Sequence, residues 1–277
     1  MQTSKTLNQV FFVVSGCVAL CASAGVALST PLATASLTTL ADPDGSLTLS
    51  GSVITTLNDV ATLSGGVDPT GTIAFTLTSS GSRVDAQIVT LNGNGNYTTP
   101  TGFTLPTTGT VIGTYTWTAS YSGDLNNNPV GDNSSPGDEQ VTVYPASPSL
   151  GTTASAGGLV GSTLNDSAIL SGGYFPTGTI TFTLTGPGGS AVGTETVMVN
   201  GNGSYATPQG FTTSSAGQYL WEATYSGDGD NLNETASLEP VSVAAPTSVP
   251  EPGSFALLGS ALGGLGAIRR RLRNRPF

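Results

Sequence analysis

Oxygen-bearing side chains crowd one short stretch of the chain, Asp228-Gly229-Asp230-Asn231-Leu232-Asn233-Glu234. Carboxylates and amides at that density are what a hard cation binds, so Asp228, Asp230, Asn231 and Glu234 form a candidate weak calcium site. The spacing lacks the full pattern of known calcium loops, and the competing reading is a solvated connection between strands whose acids serve solubility. An earlier stretch, Asp124-Leu125-Asn126-Asn127-Asn128 with Asp132 beyond it, repeats the theme with one acid at its start, so a cation would bind more weakly there. A glycosidase also needs two carboxylates, placed across a cleft. Asp228 and Asp230 share one loop, nothing marks a groove beside them, and no nucleophile motif occurs, so the expectation is a protein without a catalytic site.

Histidine is absent, and the two cysteines, Cys17 and Cys21, lie in an apolar leader. Zinc, haem, iron-sulfur and thiol chemistry are therefore not expected of the mature chain, and calcium is the one cofactor left open. Charge is divided as sharply. Lys5 and the five arginines Arg269, Arg270, Arg271, Arg273 and Arg275 sit at the two ends, leaving Arg83 as the one basic residue between them against all 17 acids. Phosphate recognition needs lysine and arginine to displace counterions, so nucleic acid and anionic headgroups are not expected partners.

The elements that carry these residues are duplicated. Leu57 to Thr78 aligns without gaps on Leu164 to Thr185 and agrees at 17 of 22 positions. Tyr115-Thr116-Trp117-Thr118-Ala119-Ser120-Tyr121-Ser122-Gly123-Asp124 matches Tyr219-Leu220-Trp221-Glu222-Ala223-Thr224-Tyr225-Ser226-Gly227-Asp228, and the offset changes between motifs, where loops tolerate insertions. Apolar residues alternate with threonines, as in Ile73, Phe75 and Leu77 or Ile180, Phe182 and Leu184, which predicts half-buried strands. Tyr115, Trp117, Ala119 and Tyr121 share a face, as do Tyr219, Trp221, Ala223 and Tyr225, and these faces belong in a core. Tyr144 and Tyr174 are the tyrosines left free to stack on a sugar ring. One tryptophan per copy amid alternating aliphatics suits a two-sheet sandwich of about 100 residues. Pro69-Thr70-Gly71, Pro176-Thr177-Gly178 and the Asn-Gly pairs supply turns, and Pro145-Ala146-Ser147-Pro148 reads as a short stiff linker.

The closing strands, Tyr-x-x-x-Ala-x-Tyr-Ser-Gly-Asp in both copies, resemble a bacterial immunoglobulin-like repeat. The resemblance implies a Greek-key sandwich used as a module in surface proteins, and names no ligand. The expected fold is thus all-β, with two tandem immunoglobulin-like Greek-key sandwiches over 36–145 and 146–246.

Both ends read as addresses. Residues 1–35 combine Lys5, an apolar run from Val10 to about Leu28 and small residues after it, a secretory signal peptide with cleavage near 24 or near 35. Val14-Ser15-Gly16-Cys17 also fits a lipoprotein box, preceded by a short apolar run. In the last stretch, 247–277, Val249-Pro250-Glu251-Pro252 precedes an apolar segment over 255–268 and then Arg269, Arg270 and Arg271. As a helix that segment rises roughly 21 Å, short of the roughly 30 Å hydrocarbon core, so the span is marginal and the arginines stay cytoplasmic.

This end resembles the PEP-CTERM sorting signal in all three parts. The resemblance implies recognition by an exosortase, a membrane-embedded cysteine protease, with removal of the tail near the Pro-Glu-Pro box, in a Gram-negative host that makes extracellular polysaccharide. The expectation is a non-enzymatic exported protein of the cell surface or biofilm matrix, structural or adhesive, held transiently in the inner membrane by its tail. The alternatives are an extracellular polysaccharide-binding module and a calcium-stiffened spacer.

Overall fold

The computed structural model describes residues 31–247 apart from residue 136. The expected signal helix and the tail helix over 255–268 lie outside the described residues. Among those described, no helix is long and apolar enough to cross a membrane. The first half of the chain forms β1 (Ser36–Asp42), β2 (Gly45–Thr48), β3 (Thr56–Ser64), β4 (Thr72–Ser79), β5 (Ser82–Thr90), β6 (Gly95–Thr98), β7 (Phe103–Thr104), β8 (Gly113–Tyr121), β9 (Val130–Gly131) and β10 (Gln140–Tyr144). The second forms β11 (Ser149–Ala154), β12 (Thr163–Leu164), β13 (Asp166–Ser171), β14 (Thr179–Thr185), β15 (Ala191–Met198), β16 (Gly203–Ala206), β17 (Phe211–Thr212), β18 (Gly217–Tyr225), β19 (Glu234–Thr235) and β20 (Glu239–Val243). A single 3-10 turn at Pro187–Gly189 is the one helical element described, so the chain is all-β.

Two compact units arise. One comprises the described residues within Met1–Asp44, together with Asn58–Phe103 and Thr116–Gln140. In it β1 pairs antiparallel with β3 from Ser36↔Ser64 to Asp42↔Asn58, and β3 pairs with β6 from Val60↔Thr98 to Leu63↔Gly95. A second ladder joins β4 to β5 in a hairpin whose register breaks between Leu77 and Thr78. The period-2 pattern carries through: Leu37, Leu63, Ile73, Phe75, Leu77 and Trp117 are fully buried, while the intervening threonines face outward.

The other unit comprises Gly45–Leu57, Thr104–Tyr115 and the described residues from Val141 on. Segments 45–57 and 104–115, inside the stretch expected to form the first repeat, thus group with the second. Here β2 runs parallel to β10 from Gly45↔Val141 to Thr48↔Tyr144. The second repeat lays β11-β13-β16 in one sheet and β15-β14-β18 in another, with β19 and β20 both on the far side of β18. The chain changes sheet between β13 and β14, between β15 and β16, and again before β18, the Greek-key connection of an immunoglobulin-like sandwich. Leu150 and Leu170 from one sheet meet Ile180, Phe182, Trp221 and Tyr225 from the other in one core. Phe211 lies tilted on Trp221 with ring centroids 5.7 Å apart. The indole N–H of Trp117 and that of Trp221 have no acceptor, so each tryptophan serves by volume and apolar area alone.

Candidate functional site

The loop after β18 begins where the strand's core alternation ends. Asp228 turns its carboxylate back under the loop and across to the Pro176-Thr177-Gly178 turn that leads into β14. Its Oδ2 accepts from the Thr177 backbone N–H (2.7 Å), the Thr177 hydroxyl (2.9 Å) and the Tyr225 hydroxyl (3.4 Å). Its Oδ1 accepts from the Asp230 N–H (2.9 Å) and the Asn231 amide (2.8 Å). Next to it Ser226 Oγ accepts from the Thr179 N–H at 3.0 Å. Gly178 is required at this join: φ is +90°, and a Cβ would lie 2.6 Å from both the Gly227 carbonyl and Ser226 Oγ. The Pro-Thr-Gly and Tyr-Ser-Gly-Asp motifs, 51 residues apart, are therefore two halves of one clasp.

The first copy builds the same clasp. Asp124 Oδ2 accepts from Thr70 N–H (2.6 Å), Thr70 Oγ1 (3.1 Å) and Tyr121 OH (3.0 Å), and Oδ1 accepts from Asn126 N–H, Asn127 N–H and the Asn127 amide. The Thr70 N–H first, then the donors of Asn126, Asn127 and Tyr121, hold the Asp124 carboxyl well below the usual range. For Asp228 burial works upward but is outweighed by the Thr177, Asn231 and Asp230 donors, and its carboxyl too titrates low. Burial, then the hydrogen bond to Asp124, pushes the Tyr121 phenol up to about 12.

The remaining candidate ligands are occupied differently. Asp230 is buried, and its Oδ1 accepts from the backbone N–H of Val111 (2.8 Å) and Ile112 (3.1 Å), in the 104–115 segment. Asn231 accepts from Tyr174 N–H and donates to Tyr174 O and to Asp228. Glu234 lies in β19, opposite Tyr225. The structure thus joins Asp228 to Asn231, turns Asp230 toward another segment and leaves Glu234 on a strand. Among the described residues no group of three or more His, Cys, Asp or Glu side chains is spaced to hold a metal.

Tyr174, expected to be free for stacking, is 2% exposed. Its hydroxyl donates to the carbonyls of Leu105 and Pro106, and its ring meets Phe175 edge-on at 5.0 Å. The alternation rule that placed the strand tyrosines does not extend to a loop residue. Tyr144 is half exposed. The connecting stretch is also more than a linker. Ala146 forms a parallel bridge with Asn231, donating to Asp230 O and accepting from Leu232 N–H, and Ala33 makes the matching bridge with Asn127.

The sorting residues Val249, Pro250, Glu251, Pro252, Arg269, Arg270 and Arg271 lie outside the described residues. Residues 248–271 match the family model described as the PEP-CTERM protein-sorting motif. This chain carries a PEP-CTERM sorting motif. The motif marks an exported, surface-directed protein and is associated in general with exosortase processing. No curated protein matches the chain. Among solved structures, the tetra-tandem repeat in the extending region of a large adhesion protein aligns with a TM-score of 0.42 at 20% identity, covering 77% of this chain and 50% of that one. A marsupial T cell receptor aligns with a TM-score of 0.30 at 16% identity, covering 78% and 75%. The PEP-CTERM chain spans half the length of the adhesion-protein structure it matches.

Proposed function

We propose that this PEP-CTERM protein is a non-enzymatic structural or adhesive element of the cell surface or extracellular matrix, delivered by its N-terminal signal and processed at its tail by an exosortase-type protease. The observation that carries this reading is the pairing of the sorting motif at 248–271 with duplicated clasps whose carboxylates are consumed in holding strand ends together. Asp124 and Asp228 accept donors at both oxygens, which is the chemistry of a scaffold and leaves no carboxylate of the clasps poised as acid, base or nucleophile. Fractionation combined with mass spectrometry of the mature C-terminus tests it. The expected product is extracellular or surface-bound and ends near Pro250-Glu251-Pro252 in an exosortase-positive host, with the tail retained when the exosortase gene is deleted. Full-length protein in the cytoplasm of the exosortase-positive host refutes it.

A second reading, binding of extracellular polysaccharide, is favoured by one feature of the second repeat. Thr196, Thr181, Thr224 and Thr235 lie in register across β15, β14, β18 and β19, with hydroxyl contacts of 3.3 Å and 3.5 Å at the two ends of the row. A row of hydroxyls on an open sheet face offers paired donors and acceptors to a glycan. Retention of the chain on the host's own polysaccharide, lost when Thr181 and Thr196 are replaced by valine, supports this reading. Absence of retention on that polysaccharide and on a glycan array removes it.

A further inference from the structure

Each repeat seats two carboxyl groups on the core-facing side of its strands. Asp59 shares its side of β3 with Ala61 and Leu63, and Glu139 is in phase with Val141 and Val143. Asp166 and Glu239 hold the matching slots, beside Ala168 and Leu170 and beside Val241 and Val243. Asp59, Glu139 and Asp166 are nearly or fully buried, at 0, 4 and 2% exposure. The one basic residue in the described chain, Arg83, stands exposed at the turn of the β4–β5 hairpin, opposite Thr78. The titratable groups that face these carboxyls are each other and Asp132.

Counting hydrogens shows what the arrangement requires. Thr39 Oγ1 touches Asp132 Oδ2 at 2.8 Å and also touches Glu139 Oε1, yet a hydroxyl has one hydrogen to give. With both carboxyls ionised, one of those contacts is bare oxygen against oxygen. Asp132 is already served at its other oxygen by the Ser134 N–H, with the Ser134 hydroxyl in reach of both that oxygen and the Thr39 carbonyl. A proton on Glu139 lets Glu139 donate to Thr39 and Thr39 donate to Asp132, and the line closes. Beside it Asp59 has no well-formed hydrogen bond at either carboxylate oxygen, and Glu139 Oε2 has none. In the second repeat Asp166 Oδ1 accepts from Ser167 N–H, whereas Asp166 Oδ2 and Glu239 Oε2 are buried without donors. Glu239 is the like charge that faces Asp166, so a proton on Asp166 removes that repulsion.

We propose that each repeat folds around a proton held by its buried carboxyls, on the Glu139–Thr39–Asp132 line beside Asp59 in the first and on Asp166, facing Glu239, in the second. The protein then takes up protons as it folds and tightens as its surroundings acidify. Burial, the leading cause in each case, raises Asp59 and Asp166 to about 6 and Glu139 to about 7. A raised folded value means that stability is greatest below the unfolded value, near 4, and declines as pH rises through 6 to 7. Each proton so linked changes the folding equilibrium about tenfold per pH unit in that window.

The test is thermal unfolding of the full-length chain in mild detergent from about pH 4.5 to pH 8.5, with carbon-13 carboxyl NMR of the labelled folded protein. The expected result is a melting temperature higher at pH 5 than at pH 8, with Glu139 and Asp166 titrating near neutrality. Asp166→Asn and Glu139→Gln, neutral at every pH, each remove about one proton's worth of that slope. A flat profile between pH 5 and 8, variants that keep the wild-type slope, or carboxyls titrating near 4 in the folded chain overturn the proposal. If the variants do not fold, the wild-type carboxyl titration decides the matter alone.

Discussion

Asp230→Ala probes the dependence of the second unit on the 104–115 segment, because this carboxylate is the acceptor for two of that segment's backbone donors. Val111 is buried, so losing its partner at 2.8 Å leaves an orphaned N–H that water does not reach, at about 1–3 kcal/mol. Ile112 is at the edge of exposure and its bond is longer, 3.1 Å, so water replaces much of that bond and the added loss is under about 1 kcal/mol. The expected total is about 1–4 kcal/mol. In a unit of this size that corresponds to a fall in melting temperature of about 4–14 °C. Asp230→Asn retains an acceptor oxygen and forfeits only the charge assistance, about 1 kcal/mol. Calorimetry of the full-length chain supplies the melting temperature, and amide exchange at Val111 and Ile112 supplies the local readout. Asn126, the counterpart of Asp230 in the first copy, has an exposed side chain, so Asn126→Ala changes stability by no more than about 0.5 kcal/mol. Wild-type melting and wild-type amide protection in Asp230→Ala would falsify the assignment.

The other predictions concern the clasp and the chain's start. Gly178→Ala forces a side chain into positive φ and against Gly227 O, and destabilises by about 2–3 kcal/mol, whereas Gly201→Ala, at φ +89° with open space around it, costs about 1 kcal/mol; paired urea titrations measure the difference. The Asp124 and Asp228 carboxyls titrate low, so their stabilisation is full above about pH 4 and is lost as pH falls through their folded values; Asp228→Asn shrinks this acid limb in pH-dependent melting. Ala33 is hydrogen-bonded to the Asn126 and Asn128 backbone and Ala35 is buried, so cleavage near residue 24 leaves the fold whole while cleavage near 35 removes a bridge; N-terminal sequencing of the exported protein is expected to begin near residue 25.

The strand framework was legible because alternation is a local property. Tyr115, Trp117 and Tyr121 declare their common face within seven residues, and all three are buried. The role of Asp228 was not legible in the same way. An aspartate beside asparagines looks alike whether it awaits a cation or closes a turn, and what decides is Thr177, 51 residues earlier. Tyr174 failed for a related reason, since its cover is supplied by Leu105 and Pro106, 69 and 68 residues away. The buried acids are a different case. Asp59 lies in phase with Ala61 and Leu63, and Asp166 in phase with Ala168 and Leu170, so the alternation that located the core also placed a carboxyl inside it, twice. Parity carried that signal; the chemistry that makes a buried acid tolerable, a hydroxyl or a second carboxyl from a distant strand, is supplied by the fold.

The paired bridges of Ala33 and Ala146 bear on how such a chain can be lengthened. Each repeat holds the residues that lead into it as an added edge, so the heritable unit starts a few residues before its first long strand. A copy inserted or deleted with ends just before Ala33 and just before Ala146 brings its own incoming bridge and leaves the neighbouring one intact. Those bridges leave repeat number open to change by recombination at that point, whereas loss of the 104–115 segment takes with it the Val111 and Ile112 donors to Asp230.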